Sequence, residues 1–454
     1  MEEILTAVLP LPEDYGGRRR SSIERRVQQI VELVEGKNNL LVLMHNDPDP
    51  DAIASARALE ELLRIHAPAT GVTLGHGGII GRAENRTMAD EIVPHKVRIS
   101  QRAAAAEMSV YDGVMLVDTQ PVAANHLLWS TDYPGEEVLA AIDHHPPRRS
   151  QLRAKVHDVR PDVGASSTLL CEYLAVAEVP IDRRLATALF YGIKSDTLGL
   201  SRQTSALDIW AYSTLRHLVE TDLLNRIEHV QVPRTYFRSI SDALANTTIY
   251  TVSMPSAVDE EDEEDEEEAE EAEEILEEDE TDGYRSDLER FDLDIIALSR
   301  MLAPGSPGPP TGEQDGGEDA DGGDEESEEE TERAGDIAVS LLFDMPRPDM
   351  AAEVADLLMR MENVAWVVCL GIFQDQGVMS VRASDSNAKA GRLVRIIAGR
   401  NGSAGGHNTM AGGRIHLPDK TPAERIAELH ALVPRFLKEL GAGDDMGVAL
   451  LEAE

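Results

Sequence analysis

Residues 39–55, NLLVLMHNDPDPDAIAS, decide the fold of this chain. The apolar residues 40–44 end abruptly in polar residues, which is how a buried parallel strand ends at the carboxyl edge of a sheet. Two prolines then favour an extended segment, in which alternate side chains such as Asp49 and Asp51 share one side. A helix is predicted from Ala52 onward, so the stretch forms a strand-to-helix switch of the kind at which α/β folds bind ligands.

The polar half of this stretch carries the first candidate ligands of a metal ion. His45 stands at the predicted strand end, and Asp49 and Asp51 follow it. Carboxylates held this close repel one another, and a divalent cation such as Mn²⁺, Mg²⁺ or Zn²⁺ with mixed His and Asp ligands relieves that repulsion. An Asp-Pro surface loop that only caps the following helix is the alternative interpretation.

Two later apolar runs end in the same way. Residues 113–117 (GVMLV) are followed directly by Asp118. Residues 138–142 (VLAAI) are followed by an acid and two histidines, Asp143, His144 and His145. Because parallel strands present their carboxyl ends at one edge of a sheet, we expect these side chains to converge there with His45.

Predicted helices in the same half of the chain add one more candidate. Residues 184–193 have helical character and end shortly before Asp196, which we include as a metal ligand. An ordinary turn at a helix C-terminus is the alternative for this residue. Residues 166–175 predict a second helix, with Ser166 as its N-cap.

Length and cysteine usage bound the class of protein. With 454 residues, the chain is long enough for two or three domains. Cys171 and Cys369 lie inside apolar runs and are expected to be buried free thiols of a reducing compartment. Neither a signal peptide nor an apolar run of roughly 20 residues is visible, so a cytoplasmic location without membrane contact is predicted.

The charge is strongly negative and unevenly distributed. Two runs, residues 259–282 and 313–332, hold 31 acids, and their removal would take the formal net charge from −42 to −11. Such runs repel themselves and predict a disordered, solvating insertion, with a nucleic-acid mimic or a docking segment for a basic protein partner as alternatives. An anionic substrate must therefore be held by local cations and not by the overall field. Abundant acids beside only seven lysines predict a high-salt cytosol, as in a halophilic archaeon.

The glycine-dense stretch GRNGSAGGHNTMAGGRI, residues 399–415, is the second candidate site. It follows a predicted strand pair, 364–373 and 378–383, and a predicted helix, 388–398. A glycine-dense loop exposes backbone N–H groups that cradle phosphate oxygens, and a plain flexible loop is the alternative. The residues that we assign to substrate binding here are Gly405, Gly406, His407, Arg382 and Arg414.

Together these motifs resemble the DHH phosphoesterase superfamily, the RecJ-like enzymes. The positions that carry the resemblance are, in chain order, His45-x-x-x-Asp49-x-Asp51, Asp118, Asp143-His144-His145 and Asp196. The segment GGHNTMAGG around His407 resembles the signature of the DHH-associated C-terminal domain. The resemblance covers most of residues 38–254 and 334–440 and leaves out the acidic insertion.

The resemblance implies a centre of two divalent cations, most often Mn²⁺, with Mg²⁺ and Co²⁺ as alternatives. The ligand sets that it implies are His45 and Asp49 for one ion, Asp51, His144 and Asp196 for the other, and Asp118 between them. It further implies that His145 lies near the scissile phosphate and that Asp143 orients the neighbouring histidines. In the C-terminal domain it adds Asn387 to Arg382 and His407 as substrate ligands.

Within the superfamily, the sequence is more similar to the nano-RNase and pAp-phosphatase branch. That branch implies hydrolysis of short RNA or DNA oligonucleotides, or of small nucleotides such as pAp. Pro50 departs from the Asp-Gly-Asp pattern that is common in the family, and an aromatic content of 4% disfavours a long stacking platform for single strands. The alternatives are a single-strand 5′ exonuclease, a cyclic dinucleotide phosphodiesterase and a non-catalytic scaffold of a repair or replication complex. The oligomeric state stays open between a monomer and a homodimer.

The predicted fold is α/β, with a parallel-sheet N-terminal domain, a smaller α/β substrate-binding domain, and the active-site cleft between them. The predicted boundaries are 1–37 for an N-terminal helical extension, 38–235 for the catalytic domain, 236–257 for a linker and the first C-terminal strand, 258–333 for the acidic insertion, and 334–454 for the DHH-associated C-terminal domain.

Overall fold

The computed structural model of the chain contains two large β-sheets with helices packed against them. The residues that it describes are 6–12, 15–100, 106, 108–121, 123, 125–130, 138–147, 154–202, 204–251, 335–399, 402–406, 408–417, 420–442 and 446–451. Residues 1–250 and 336–454 group into one unit, and residues 251–335 into a second. The acidic insertion predicted at 258–333 therefore lies outside the described residues.

The N-terminal sheet has six strands. In spatial order they are β4 (Val97–Arg98), β3 (Gly71–His76), β2 (Asn39–Leu43), β5 (Gly113–Val117), β6 (Val138–Asp143) and β7 (Val156–Val159). All neighbouring strands run parallel. The three strands inferred from their apolar runs, β2, β5 and β6, lie side by side, so their carboxyl ends meet at one edge.

Helices cover this sheet. They are α1 (Gly17–Val34), α2 (Pro50–His66), α3 (Ala83–Ile92), α4 (Ser166–Val176), α5 (Arg183–Asp196), α6 (Ala206–Arg216), α7 (Thr221–Glu228) and α8 (Arg234–Ala245), and a short strand pair joins β1 (Thr6–Ala7) to β8 (Ile181–Asp182). Within β2, Leu40 and Val42 pack into one hydrophobic cluster, whereas Leu41 and Leu43 pack into another on the opposite face. Burial on both faces explains why the strand sequences are continuously apolar and do not alternate.

A buried ionic network fastens α1 to the rest of the domain. Glu172, which is fully buried, accepts hydrogen bonds from Tyr15 Oη at 2.6 Å and from Arg160 Nη1 at 2.6 Å, and Arg19 pairs with the same carboxylate. Arg26 of α1 pairs in the same way with Asp158 of β7 at 2.9 Å. Burial opposes ionisation of Glu172, but the charge of Arg160 holds the pKa of this carboxyl below its usual value. The N-terminal helix is therefore an integral part of this domain.

The C-terminal sheet is mixed. In spatial order its strands are β13 (Gly402–Gly406), β14 (Met410–His416), β12 (Gln376–Ala383), β11 (Val364–Phe373), β10 (Asp336–Leu342), β9 (Thr247–Thr251) and β15 (Val448–Ala449). Its helices are α9 (Met350–Leu358), α10 (Ala390–Ala398) and α11 (Pro422–Glu439). β10 and β11 run parallel, whereas β11 and β12, the predicted strand pair, run antiparallel. The predicted fold class, a parallel-sheet domain followed by a smaller α/β domain, is confirmed.

The glycine-dense stretch is not the loop that we predicted. Most of it forms the antiparallel strands β13 and β14, with Gly405 opposite Gly412. The glycines let backbone segments approach closely, since a Cβ on Gly391 of α10 would lie 2.7 Å from the carbonyl oxygen of Gly406. Propensity rules missed the strands because glycine is disfavoured in a strand unless another backbone comes this near.

Both cysteines are buried and unpaired, as predicted. Burial raises the pKa of both thiols, so neither has the character of an activated nucleophile. Across the part of the chain that the structure describes, no helix has the length and apolarity needed to cross a membrane.

Candidate metal centre

Neighbouring strands deliver ionisable side chains to one edge of the N-terminal sheet. His45 follows β2, Asp118 follows β5, and His144 follows β6. Asp196, the last residue of α5, reaches the same edge, and the start of α2 supplies two more acids. The structure thus brings together all six side chains that the sequence proposes as metal ligands.

The first group consists of His45, Asp49 and Asp118, whose ligand atoms lie within 4.8 Å of one another. His45 Nε2 lies 3.8 Å from Asp49 Oδ1 and 3.6 Å from Asp118 Oδ2. Asp49 is also the N-cap of α2, where its side chain accepts a hydrogen bond from Ala52 N at 3.0 Å. The capping interpretation and the ligand interpretation therefore describe the same carboxylate.

The second group consists of Asp51, His144 and Asp196, again within 4.8 Å. His144 Nε2 lies 3.3 Å from Asp196 Oδ2 and 3.9 Å from Asp51 Oδ2. Asp51 belongs to the first turn of α2, because the helix begins at Pro50. The prediction that Asp49 and Asp51 lie on one side of an extended segment is thus wrong. Proline suits the first helical position, so the helix begins two residues earlier than predicted and the two carboxylates serve different groups.

Asp118 connects the two groups. Its Oδ1 lies 3.5 Å from His144 Nε2 and 3.7 Å from His145 Nδ1, whereas its Oδ2 faces His45. His145 also joins Asp118 and His144 in a third set of ligand atoms within 4.8 Å. The backbone of Asp118 has a φ of 57°, in the left-handed region. Strain of this kind persists where the surrounding structure enforces it, often at functional sites, and here it turns the carboxylate toward both groups.

The residues present fit a divalent cation. Asp118 Oδ2 is buried and finds no hydrogen-bond partner among the described residues. A buried carboxylate oxygen without a donor is costly, and a cation would remove that cost. Imidazole nitrogens mixed with carboxylate oxygens match the preferences of Mn²⁺ and similar ions.

The electrostatics of the edge reflect crowded negative charge. Burial, followed by repulsion from Asp196, raises the pKa of Asp51 to about 7. Burial, followed by repulsion from Asp51, raises the pKa of Asp118 well above its usual value. Burial works against a charged His144, but its hydrogen bond to Asp196 raises the pKa of the imidazole to about 10. The protein alone therefore balances its acids with protons, which a bound cation would replace.

His145 is oriented by a separate set of contacts. Its Nδ1 lies 2.8 Å from Asp143 Oδ1, and Gln120 Nε2 donates to Asp143 Oδ2 at 2.7 Å. Burial opposes the charge of Asp143, but the hydrogen bond to His145 keeps the pKa of the carboxyl low. Sequence reasoning missed Gln120, because a glutamine in a turn carries no signal of its own.

The N-terminus of α4 holds Asp51. The backbone N–H groups of Ser166 and Ser167 each donate to one oxygen of Asp51 at 2.7 Å, and Ser166 Oγ donates to Asp118 Oδ1 at 3.0 Å. The predicted N-cap Ser166 is wrong by one position, since the cap is Ala165 and has no side-chain bond. A carboxylate from another helix performs the capping and is fixed by it.

In the C-terminal domain, Arg414 of β14 contacts residues 45–49, the loop that carries His45 and Asp49 and that we call the metal loop. Its Nη2 donates to Asp47 Oδ2, and Ile79 N donates to the other oxygen of Asp47 at 3.0 Å. Asp47 lies between the two first-group residues His45 and Asp49 in sequence. Of the predicted substrate ligands, Arg414 is thus the one whose contact lies in the loop that carries the candidate metal ligands.

Arg382 is placed differently. Its Nε donates to Asp356 Oδ1 at 2.6 Å, and Arg82 Nη2 of the N-terminal domain donates to Asp356 Oδ2 at 2.6 Å. Asn387 is exposed, and its backbone N–H donates to Asp385 at 2.9 Å. Gly405 and Gly406 lie in β13, and His407 lies outside the described residues.

Arg202 is a further cation that the sequence did not single out. Its buried Nη1 has no hydrogen-bond partner within the described ranges. The pKa of Arg202 is lowered overall, mainly by burial. The charge of Arg382 acts in the same direction, and the charge of Asp196 opposes it. A guanidinium near the candidate centre with a donor to spare is suited to an anionic ligand.

Comparison with known families matches two parts of the chain. Residues 39–193 match the N-terminal domain of the DHH family, and residues 335–439 match the DHHA1 domain. The first match contains five of the six candidate ligands and ends just before Asp196. The second contains β10 to α11.

Two individual proteins are similar over most of the chain. An uncharacterised protein of Methanocaldococcus jannaschii is 25% identical over 419 residues, which cover 90% of this chain and 66% of that protein, so the chain spans about two-thirds of its relative's length. The crystal structure of an exopolyphosphatase-related protein from Bacteroides fragilis is 12% identical, covers 92% of this chain and 97% of that one, and has a TM-score of 0.55. That likeness concerns the fold alone. Residues 39–193 of this chain are thus similar to the DHH N-terminal domain, and residues 335–439, which follow them, are similar to the DHHA1 domain.

Proposed function

We propose that this chain is a metal-dependent phosphoesterase that hydrolyses short oligonucleotides or small nucleotides such as pAp. The observation that carries the proposal is the pair of three-residue groups linked by the two oxygens of Asp118. Two groups that share one carboxylate suit two divalent ions, for which we favour Mn²⁺. The first group would hold one ion, the second the other, and Asp118 would bridge them.

The chain's own residues have separable tasks in this proposal. When bound, the ions supply positive charge against the transferring phosphoryl group. Asp143 holds His145 through Nδ1, and the imidazole is 38% exposed, so it can meet a substrate and move a proton to the leaving oxygen. Because the pKa of Asp143 is low, its carboxylate stays charged and keeps the hydrogen bond that orients the imidazole.

Arg414 and Arg202 supply the cations that an anionic substrate needs in a chain with a net charge of −42. Arg414 already contacts the metal loop through Asp47, so a phosphate that replaced Asp47 would lie close to the candidate centre. The low aromatic content of 4%, which disfavours a long stacking platform, favours substrates of a few nucleotides over long strands. The preference for short substrates is therefore part of the proposal.

The test is hydrolysis of labelled RNA and DNA oligonucleotides from two to about 24 nucleotides, with pAp alongside, at several Mn²⁺ concentrations. High KCl is included because the acid-rich composition predicts a halophilic protein. We expect the fastest turnover on the shortest substrates and release of phosphate from pAp. Equal or faster cleavage of long strands would contradict the short-substrate proposal and indicate a single-strand exonuclease.

Two other candidates are distinguished by the same assay. Turnover of cyclic dinucleotides alone would indicate a cyclic dinucleotide phosphodiesterase at the same centre. Bound Mn²⁺ without turnover of any substrate would indicate a scaffold protein, for which the acidic insertion would be the docking segment of a basic partner.

A further inference from the structure

Asp208 of α6 is fully buried and lies outside both candidate ligand groups. Its Oδ2 accepts hydrogen bonds from Gly164 N at 2.8 Å and from Ser205 N at 2.8 Å. Its Oδ1 accepts a hydrogen bond from Thr168 Oγ1 at 2.5 Å. Asp208 therefore binds both sides of the turn that begins α4.

That turn contacts three of the six candidate ligands. The carbonyl oxygen of Val163 lies 3.3 Å from His144 Nδ1. The N–H groups of Ser166 and Ser167 hold Asp51, and the hydroxyl of Ser166 donates to Asp118. One short segment thus orients an imidazole and two carboxylates from three different elements.

The turn has no cap of its own. The N-cap Ala165 makes no side-chain hydrogen bond, so the first backbone donors depend on carboxylates from elsewhere. Asp51 accepts hydrogen bonds from two of these donors, and Asp208 accepts one from Gly164 N, just before them. Asp208 therefore holds the same turn that orients the candidate ligands, through Gly164 N and Thr168 Oγ1.

We propose that Asp208 is a positioning residue of the metal centre, acting through the turn from Val163 to Thr168. The inference rests on the proposed function, since it requires that the two groups bind divalent ions. Groups that orient metal ligands are expected to change metal affinity by about 10- to 100-fold when they are removed. Asp208 does not contact a candidate ligand itself. It would act on the turn through the backbone N–H of Gly164 and the hydroxyl of Thr168.

The experiment measures Mn²⁺ binding to the metal-free protein by calorimetry, in high KCl, for the unchanged chain and for Asp208→Asn. The asparagine keeps the shape, but an NH₂ group replaces one acceptor oxygen and the negative charge is lost, so the hydrogen bonds that hold the turn are weakened. We expect the apparent Mn²⁺ affinity to fall by about tenfold or more. We also expect excess Mn²⁺ to restore most of the turnover.

Asp182→Ala is the control, since alanine cannot cap a helix. Asp182 caps α5 by accepting a hydrogen bond from Leu185 N at 2.7 Å, so its loss weakens a helix start without touching the turn. It should lower the melting temperature and leave Mn²⁺ affinity unchanged. Thr168→Val removes only the hydroxyl donor to Asp208 and should weaken Mn²⁺ binding less than Asp208→Asn does. It serves as the test variant if Asp208→Asn fails to fold.

Unchanged Mn²⁺ affinity in folded Asp208→Asn, or in Thr168→Val if only that variant folds, would overturn the positioning role. An equal loss of affinity in Asp182→Ala would overturn it too, because general destabilisation would then explain the effect. If the unchanged chain itself bound no Mn²⁺, the proposed metal centre would fall, and the inference with it.

Discussion

The two candidate binding regions are built in opposite ways. At the edge of the N-terminal sheet, the acids and histidines follow directly after buried parallel strands. In the C-terminal domain, the candidate arginines lie within strands of a mixed sheet, and each is paired with an acid from another element. The first region is crowded with like charges that call for a cation. The second already has its charges neutralised by the protein.

Because of this difference, a ligand that binds in either region must displace something else, either protons or a carboxylate. A cation at the first edge would replace protons held by Asp51 and His144, whose pKa values are raised by burial and by neighbouring Asp196 respectively. An anion near the second must displace a carboxylate, such as Asp47 from Arg414. Three experiments sharpen this contrast.

The largest effect is expected from Asp118→Asn. The change removes a negative charge and one bridging oxygen. Loss of a group that only hydrogen-bonds to a metal ligand lowers activity by up to roughly 100-fold, so loss of Asp118 should lower turnover by more than that. The thermal stability of the metal-free protein should not fall, because the raised pKa of Asp118 shows that its charge is unfavourable there. Measurements of kcat and of the melting temperature check both statements.

Asp112→Asn is the control for that prediction. Asp112 precedes the same strand β5 at its amino end, where it accepts hydrogen bonds from Asn38 N at 2.6 Å and Asn39 N at 3.0 Å. Turnover by Asp112→Asn should stay near that of the unchanged chain. Substantial turnover by Asp118→Asn would show that the acid-rich edge is not the reacting centre.

A smaller effect is expected from Arg414→Gln. If Arg414 exchanges Asp47 for a substrate phosphate, loss of a charged hydrogen bond should raise KM by about tenfold with little change in kcat. Asp47→Asn should lower KM, because it removes the competing carboxylate. The control Arg184→Gln breaks a surface ion pair with Glu91 at 2.9 Å and should change neither constant. A raised KM in Asp47→Asn would indicate that the pair only joins the domains.

The smallest effect is the release of protons when Mn²⁺ binds. It distinguishes the N-terminal edge from the C-terminal arginines most directly. At neutral pH the metal-free protein holds protons on His144 and partly on Asp51, and Mn²⁺ needs both groups deprotonated. Mn²⁺ binding should therefore release about one proton or more, and affinity should rise from about pH 6 to about pH 8. Calorimetry in buffers of different ionisation enthalpy measures this release. Binding of a substrate anion to guanidinium groups, which do not titrate in this range, should release none.

The candidate ligands at the N-terminal edge could be predicted from the sequence, because one rule relates their positions along the chain to their positions in the fold. Buried runs that end at His45, Asp118 and Asp143 belong to parallel strands, and such strands share an edge. The rule fails where position depends on contacts that sequence does not show. Ser166 and Asp51 are 115 residues apart, and the bond between them set which residue caps α4.

The C-terminal domain was less predictable for a related reason. Glycine has no side chain to signal a strand, so the pairing of β13 with β14 depends on the close packing of α10 against them. Arg382 and Arg414 were recognisable as cations, but their acidic partners lie on other elements. Arg202 and Asp208 were missed, because an arginine after a helix and an acid in a capping box are ordinary features of a sequence.

The ionic network between α1 and the N-terminal domain bears on where this protein can be cut or recombined. The DHH match begins at residue 39, whereas Arg19 and Arg26, which precede it, pair with the buried acids Glu172 and Asp158. A fragment trimmed to the family pattern would keep those acids and lose two of their cations, and breaking a buried pair costs about 3–5 kcal/mol. A fragment that is to fold stably should therefore include α1, which precedes the start of the family match. Gene fusions or deletions made at the boundary of the family match are expected to destabilise the domain.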